Sequence, residues 1–266
     1  MTTAPSTALI DLNDPITSAR RALACLDLTS LNEGDTEADI AHLCRRATGP
    51  FGTTAAVCVW PRLAAFARRE LPDEVAVAAV ANFPDGSADT VRAVADTHAI
   101  VDAGAQEVDV VIPYRKLDAA AHLLAAVRRA CEGLRLKVIL ETGELDGPVQ
   151  VALACRIALD AGADFLKTST GKVRVNATPQ AAQALLQAIA DDPAARPHAG
   201  FKAAGGIRTV ADAQRYMRLV QDILGDTALS QARFRIGASG LLDDIESVLS
   251  GSAPPASSAA TTQLEY

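Results

Sequence analysis

Short apolar runs alternate with longer amphipathic segments along almost the whole chain. The runs at 22–28, 54–59, 75–80, 107–112, 136–141, 163–167, 198–202 and 234–237 have strand length and are bounded by turn residues, which predicts eight strands. Each is followed by residues spaced as on a helix. Over 88–102, for example, Val91, Val94, Ala95 and Ile100 fall near one face, and Asp89, Arg92 and Asp96 near another. Thr178-Pro179 predicts an N-cap with proline in the first turn, Thr209 stands before a helix over Val210–Leu224, and Gly104 and Gly162 mark left-handed helix ends.

A strand and a helix repeated eight times in roughly 250 residues is the size of a closed (β/α)8 TIM barrel, an α/β fold in a single domain. The competing doubly wound sheet usually carries a Gly-rich turn after its first strand, whereas Asp27-Leu28-Thr29-Ser30-Leu31 has no glycine. The barrel is expected over 21–250, after an N-terminal extension (1–20) and before a flexible tail (251–266).

Composition narrows the chemistry. The 266 residues are 49% hydrophobic but only 4% aromatic, so the core must come from Ala, Val, Leu and Ile, which suits buried parallel strands under Ala-rich helices. Twenty-five Lys and Arg against 32 Asp and Glu give a net charge of −7 with no long basic run, which argues against a nucleic-acid or membrane partner. The five cysteines are widely spaced, without CxxC or Cys/His clusters. A reduced cytoplasmic compartment is therefore expected, with no metal site. Residues 1–15 lack the basic start and apolar run of a secretion signal, and no later stretch has transmembrane length. Cys44, in His42-Leu43-Cys44, fits a buried helix residue better than a reactive thiol.

Three charges stand where strands should be apolar: Asp109, Lys167 and Lys202. Strand alternation sends Val108, Val110, Leu166 and Phe201 toward the helices and aims all three charges into the barrel. Burying an ion costs several kcal/mol unless it is paired. Each lysine alone is explained as structural or as snorkelling to solvent, but two on successive strands beside an acid point to a functional site. A lysine of ordinary pKa, near 10.4, is neutral only about once in 2,500 molecules at pH 7. A second ammonium nearby and partial drying push one amine toward neutrality; that amine attacks a carbonyl to form a Schiff base while the acid and the other lysine move protons. Lys137 shares the inward parity of Ile139 and Glu141, and either contributes to the field around Asp109 or supports it structurally.

Anion binding is the second signal. Gly205-Gly206 before Ile207-Arg208-Thr209, and Gly237-Ala238-Ser239-Gly240 before an apolar helix, put bare amides after strands seven and eight, a frequent phosphate position in such barrels. Gly171-Lys172 adds a point charge. One Gly pair alone means only a tight turn. Two at adjacent strand ends, beside inward lysines, imply a small phosphorylated carbonyl ligand.

These residues resemble a known family. Asp27-Leu28-Thr29, Glu107-Val108-Asp109-Val110-Val111, Leu136-Lys137-Val138-Ile139-Leu140-Glu141-Thr142-Gly143-Glu144-Leu145, Gly162-Ala163-Asp164-Phe165-Leu166-Lys167-Thr168-Ser169-Thr170-Gly171-Lys172 and Gly205-Gly206-Ile207-Arg208-Thr209 are similar to the deoxyribose-phosphate aldolases over 21–249. The resemblance implies a class I aldolase that reversibly cleaves 2-deoxy-D-ribose 5-phosphate to D-glyceraldehyde 3-phosphate and acetaldehyde, without metal or organic cofactor. It assigns the Schiff base to Lys167, the perturbation of that amine to Lys202, and proton shuttling to Asp109. It places phosphate on Gly171, Lys172, Gly205, Gly206 and Ser239, and the sugar hydroxyls near Asp27 and Thr170. Tyr266 resembles a terminal tyrosine that aids proton transfer in some members; a chain end with no role is the alternative. A homodimer is the assembly considered, although no residue fixes the oligomeric state.

Two departures from the family pattern stand out: Ala203 replaces a proline after Lys202, which loosens the backbone, and Gly240 replaces a second serine, which removes a hydroxyl from the phosphate site. Two other functions fit the residues less closely, a Schiff-base lyase acting on a longer keto-sugar and a catalytically silent phosphosugar sensor.

Overall fold

Eight strands hydrogen-bond side by side, all parallel, into a closed ring in the computed structural model, which describes residues 10–252. They are β1 (Leu26–Thr29), β2 (Ala56–Val59), β3 (Ala76–Ala81), β4 (Glu107–Val111), β5 (Arg135–Ile139), β6 (Phe165–Lys167), β7 (Gly200–Ala204) and β8 (Phe234–Ala238). Each pairs with its predecessor, and β8 closes on β1 through Leu26 opposite Ile236. Every residue of β2, β4, β7 and β8 is buried, because helices cover the outside of the ring and side chains fill its lumen. The expected tail residue Tyr266 lies outside the described residues.

The outer layer is α1 (Pro15–Ala24), α2 (Glu37–Ala47), α3 (Pro61–Glu70), α4 (Thr90–Asp102), α5 (Ala120–Ala130), α6 (Gly147–Asp160), α7 (Pro179–Asp191), α8 (Val210–Leu224) and α9 (Leu241–Ser250). The caps follow the sequence signals. Thr178 accepts from the Ala181 amide with Pro179 in the first turn, Thr209 and Asp212 form a capping box, and Gly104 and Gly162 have φ of +74° and +79°. Cys44 is buried on α2.

The first strand departs from expectation. Residues 22–24 are the last turn of α1 rather than strand; Asp14 caps that helix, Cys25 ends it, and β1 starts only at Leu26. Ala22-Leu23-Ala24 has high helix propensity, and Ala19, Ala22 and Leu23 bury against a layer where α1 meets α8 and α9. A short apolar run carries no period able to separate the two structures. His198 and Ala199 likewise precede β7, which runs on to Ala204, so that Lys202 is its middle residue. A hairpin of two-residue strands, Thr48–Gly49 and Gly52–Thr53, lies between α2 and β2 and was not anticipated.

The lumen is filled tightly below the charged layer. A Cβ on Gly200 would stand 2.5 Å from Cε1 of Phe165 and 2.7 Å from the Arg233 carbonyl oxygen, so the ring of Phe165 occupies the space a side chain would need. Gly200→Ala is expected to destabilise the protein by about 1–3 kcal/mol through overpacking. Gly34→Ala, where nothing lies within 4 Å, is expected to stay within about 0.5 kcal/mol. Urea unfolding of the two variants checks the contrast.

Candidate active site

Strand register decides which charges meet. Lys167 on β6 lies opposite Lys202 on β7, Asp109 on β4 opposite Lys137 on β5, and Arg235 on β8 opposite Lys202. Since residues of one parity face inward, these side chains converge in the lumen, joined by Asp27 from β1 and Glu107 from β4.

Asp109 is the hub. Its Oδ2 accepts from Lys167 Nζ and from Lys202 Nζ, each at 2.8 Å, and its Oδ1 accepts from Lys137 Nζ at 2.9 Å. Asp27 accepts from Lys202 Nζ and forms an ion pair with Lys137 on one oxygen, and accepts from Arg235 Nη1 at 2.6 Å on the other. Glu107 forms an ion pair with Lys137 and accepts from both terminal nitrogens of Arg235 and from Arg135 Nη1 at 2.6 Å. Asp27, Asp109, Lys137 and Lys202 have no exposed surface; Arg135, with a side chain 36% exposed, lies at the edge.

The three inward lysines respond differently. Burial disfavours the charge on Lys202, but Asp109 and Asp27 more than offset it and hold that lysine above the ordinary range. Lys137 is raised in the same way: burial opposes its charge, and Asp109, Asp27 and Glu107 outweigh it. Among the described residues, Lys167 has only Asp109 as a close anion. Burial, reinforced by the neighbouring Lys202 ammonium, wins over Asp109 and lowers its pKa. The carboxylates show the complement. Burial favours their neutral forms, yet the surrounding cations hold Asp27 and Asp109 well below the usual range and bring Glu107 down to about 2.

Lys167 also closes the floor of a cavity of about 380 Å³ at the carboxyl ends of the strands. Thr170, Gly171, Lys172, Gly205, Gly206 and Ser239 line it, as does Arg208, which forms no ion pair among the described residues. Gly171, Gly205 and Gly206 have φ of +85°, +87° and +81°, so the chain turns there without side chains; a Cβ on Gly205 would meet Asn176 at 2.6 Å. Ser239 and Gly240, just before α9, line the same space. Lys172 reaches across the mouth, donating to the Leu31 carbonyl at 2.8 Å. A larger depression of about 790 Å³ lies beside Asn13, Arg218 and Asp226, away from the buried ions.

The loop after β6 is tied on both sides. Ser169 Oγ donates to the Ala204 carbonyl at 2.6 Å, and Thr170 donates both its hydroxyl and its amide to Glu141, whose backbone is left-handed at φ +53°. Thr170 therefore lines the cavity with its hydroxyl hydrogen committed. Asp27, expected near sugar hydroxyls, is sealed beneath Lys202 and does not line the cavity. Sequence reasoning missed Arg235, Arg208 and the anchoring role of Glu141. Arg235 had a legible signal, a charge sharing the parity of Gly237 in an apolar strand.

The chain is similar to known proteins over most of its length. Residues 21–243 match the model of the DeoC/LacD family aldolases. Over 253 residues the chain is 48% identical to the deoxyribose-phosphate aldolase of Agrobacterium fabrum, covering 92% of this chain and 96% of that protein. Among solved structures, the tetrameric deoxyribose phosphate aldolase from Aeropyrum pernix is similar at 26% identity, covering 88% of this chain and 92% of that one, with a TM-score of 0.69. A Toxoplasma gondii protein provisionally described as a deoxyribose-phosphate aldolase reaches a TM-score of 0.83 at 23% identity, covering 92% and 98% of the two chains, a likeness of fold.

The depressed carboxylates have a consequence for acid stability. Glu107 titrates at about 2 in the folded protein against an ordinary 4.5, so its charge stabilises the fold above pH 4.5, and that contribution is lost as pH falls through 2. Asp27 and Asp109 act in the same sense. The thermal midpoint, followed by circular dichroism, is expected to drop progressively across that window; a flat profile would contradict the charge pairing.

Proposed function

The chain belongs to the DeoC/LacD family of aldolases, and from that premise we propose that it reversibly cleaves 2-deoxy-D-ribose 5-phosphate to D-glyceraldehyde 3-phosphate and acetaldehyde through a Schiff base on Lys167. One observation carries the reading: of the cations in the buried network, Lys167 alone reaches the cavity, and it alone among the lysines there is biased toward its neutral form. An amine biased toward its neutral form at the floor of an open cavity is what carbonyl capture requires.

The lone pair of Lys167 Nζ attacks C1 of the open-chain sugar, and loss of water from the adduct leaves a protonated imine. The C3 hydroxyl gives up its proton, the C2–C3 bond breaks, and its electron pair flows into the imine to form an enamine as glyceraldehyde 3-phosphate departs. The enamine then takes a proton at C2, and water cleaves the imine to release acetaldehyde and the free amine. Because the imine is the electron sink, the reaction needs neither metal nor organic cofactor. Asp109, 2.8 Å from Lys167 Nζ, and Lys202, bound to the same oxygen, are the groups placed to hand protons to and from the reacting atoms.

The phosphate is held by the amides of Gly171, Gly205, Gly206 and Ser239 with the charges of Lys172 and Arg208, which supports a phosphorylated rather than a free sugar. Asp27 acts by fixing Lys202, and Thr170 shapes the wall. Five buried, unpaired cysteines support a reducing cytoplasmic setting. An assembly of like subunits, with a dimer as its smallest form, belongs to the same proposal; it is supported by the tetramer described for the Aeropyrum relative and by Val149 and Leu153, exposed on α6.

Incubation with deoxyribose 5-phosphate and borohydride is expected to fix a reduced adduct on Lys167, located by peptide mass mapping, and Lys167→Leu is expected to lose both adduct and turnover. Absence of the adduct in the parent enzyme would reject the mechanism. Arg208→Ala is expected to raise KM for the phosphorylated sugar about 10- to 100-fold while barely changing kinetics on unphosphorylated deoxyribose, since one charge-assisted contact to phosphate is lost.

A further inference from the structure

We infer that Glu107 and Arg235, buried below the reacting amine, are positioning residues that set the protonation of Lys167 through the charge balance of the barrel lumen. The inference rests on the Schiff-base reading above.

Each strand facing Lys167 contributes to that balance. Asp109 and Glu107 come from β4, Lys137 from β5, Lys202 from β7, Arg235 from β8 and Asp27 from β1, with the Cys58 thiol from β2 and Glu141 beyond β5. Three carboxylates, Asp27, Glu107 and Asp109, thus share the sealed lumen with four cations, Lys137, Lys167, Lys202 and Arg235, while a fifth, Arg135, pairs with Glu107 from the solvent-exposed edge. Three of the four sealed cations each bridge at least two carboxylates, while Lys167 touches one. Arginine does not shed its proton in proteins. The surplus charge therefore falls on the member with the fewest partners, which is also the one facing the substrate.

Glu107 and Arg235 hold this count in place. Arg235 spans Asp27 Oδ1 at 2.6 Å and Glu107 Oε1 at 2.7 Å, and its Nε donates to the Gln231 carbonyl. The guanidinium also lies 5.7 Å from the centre of the Phe165 ring, which fixes its height in the lumen. Glu107 in turn holds Lys137, and Lys137 occupies Asp109 Oδ1, leaving only Oδ2 to Lys167 and Lys202. Neither Glu107 nor Arg235 lines the cavity, so neither touches the substrate.

The sign of the effect separates this role from a structural one. Glu107→Gln removes an anion and leaves the lumen more positive, so the Lys167 amine should become reactive at lower pH, by about one unit for a charge at this range. Arg235→Met removes a cation and should move the onset upward by a similar amount. The double variant restores the count and should return toward the parent, and Arg235→Lys, which keeps the charge, should stay close to it. The onset is read as the rate of cyanoborohydride trapping of acetaldehyde at Lys167 across a pH series. A pair that only holds β4 to β8 would lower the trapping rate or stability of both single variants without moving their onsets apart, and that result overturns the inference. If Arg235→Met does not fold, Glu107→Gln and Arg235→Lys still decide: an onset unchanged in Glu107→Gln overturns it. Failure of the parent enzyme to form any adduct at Lys167 would instead reject the Schiff-base reading itself, and the inference with it.

Discussion

A single carboxylate oxygen, Oδ2 of Asp109, accepts hydrogen bonds from two lysines. In so buried a setting, two ammonium groups on one oxygen are tolerable only if other anions take up the excess. Asp27 does this for Lys202 and leaves Lys167 without a second partner. The asymmetry between the two lysines, one held charged and one biased toward neutrality, follows from this sharing. Neither lysine has a special local environment in its own strand; the difference arises from which acids lie across the lumen.

A closed barrel is well suited to build such a site. Parallel register brings residues of one parity from every strand into a few stacked layers, and the Phe165 ring over Gly200 supports the charged layer from below. Above it, the loops line the open cavity, and Glu141 and Ala204 fix the β6 loop from the two neighbouring strand ends. Ala203 is a buried residue inside β7, paired in register with Ile236, so the ladder constrains the chain after Lys202.

Much of this was legible in the sequence because it depended on period. The strand count, the inward aim of Asp109, Lys167 and Lys202, and the glycine turns all follow from alternation and punctuation. What escaped depended on events across the barrel. The helical end of α1 reads like strand until α8 and α9 are there to cover it. The motif of Asp27 gave its identity but not its depth in the lumen. Arg235 was overlooked although its parity was plain, since an isolated arginine in a strand gains meaning only when Glu107 and Asp27 are seen on the other side.

The sealing of the lumen also divides the site by its exposure to ionic strength. Mobile ions screen charges in contact with solvent over roughly 8 Å at physiological salt but do not enter a packed interior. Lys172 and Arg208 belong to the open rim, whereas Asp27, Asp109, Lys137 and Lys202 have no solvent-accessible surface. On the function proposed above, added electrolyte would loosen the grip on the anionic end of a ligand far more than it would disturb the buried ion pairs that set the basicity of the amine, so affinity and chemical reactivity would answer to different properties of the medium.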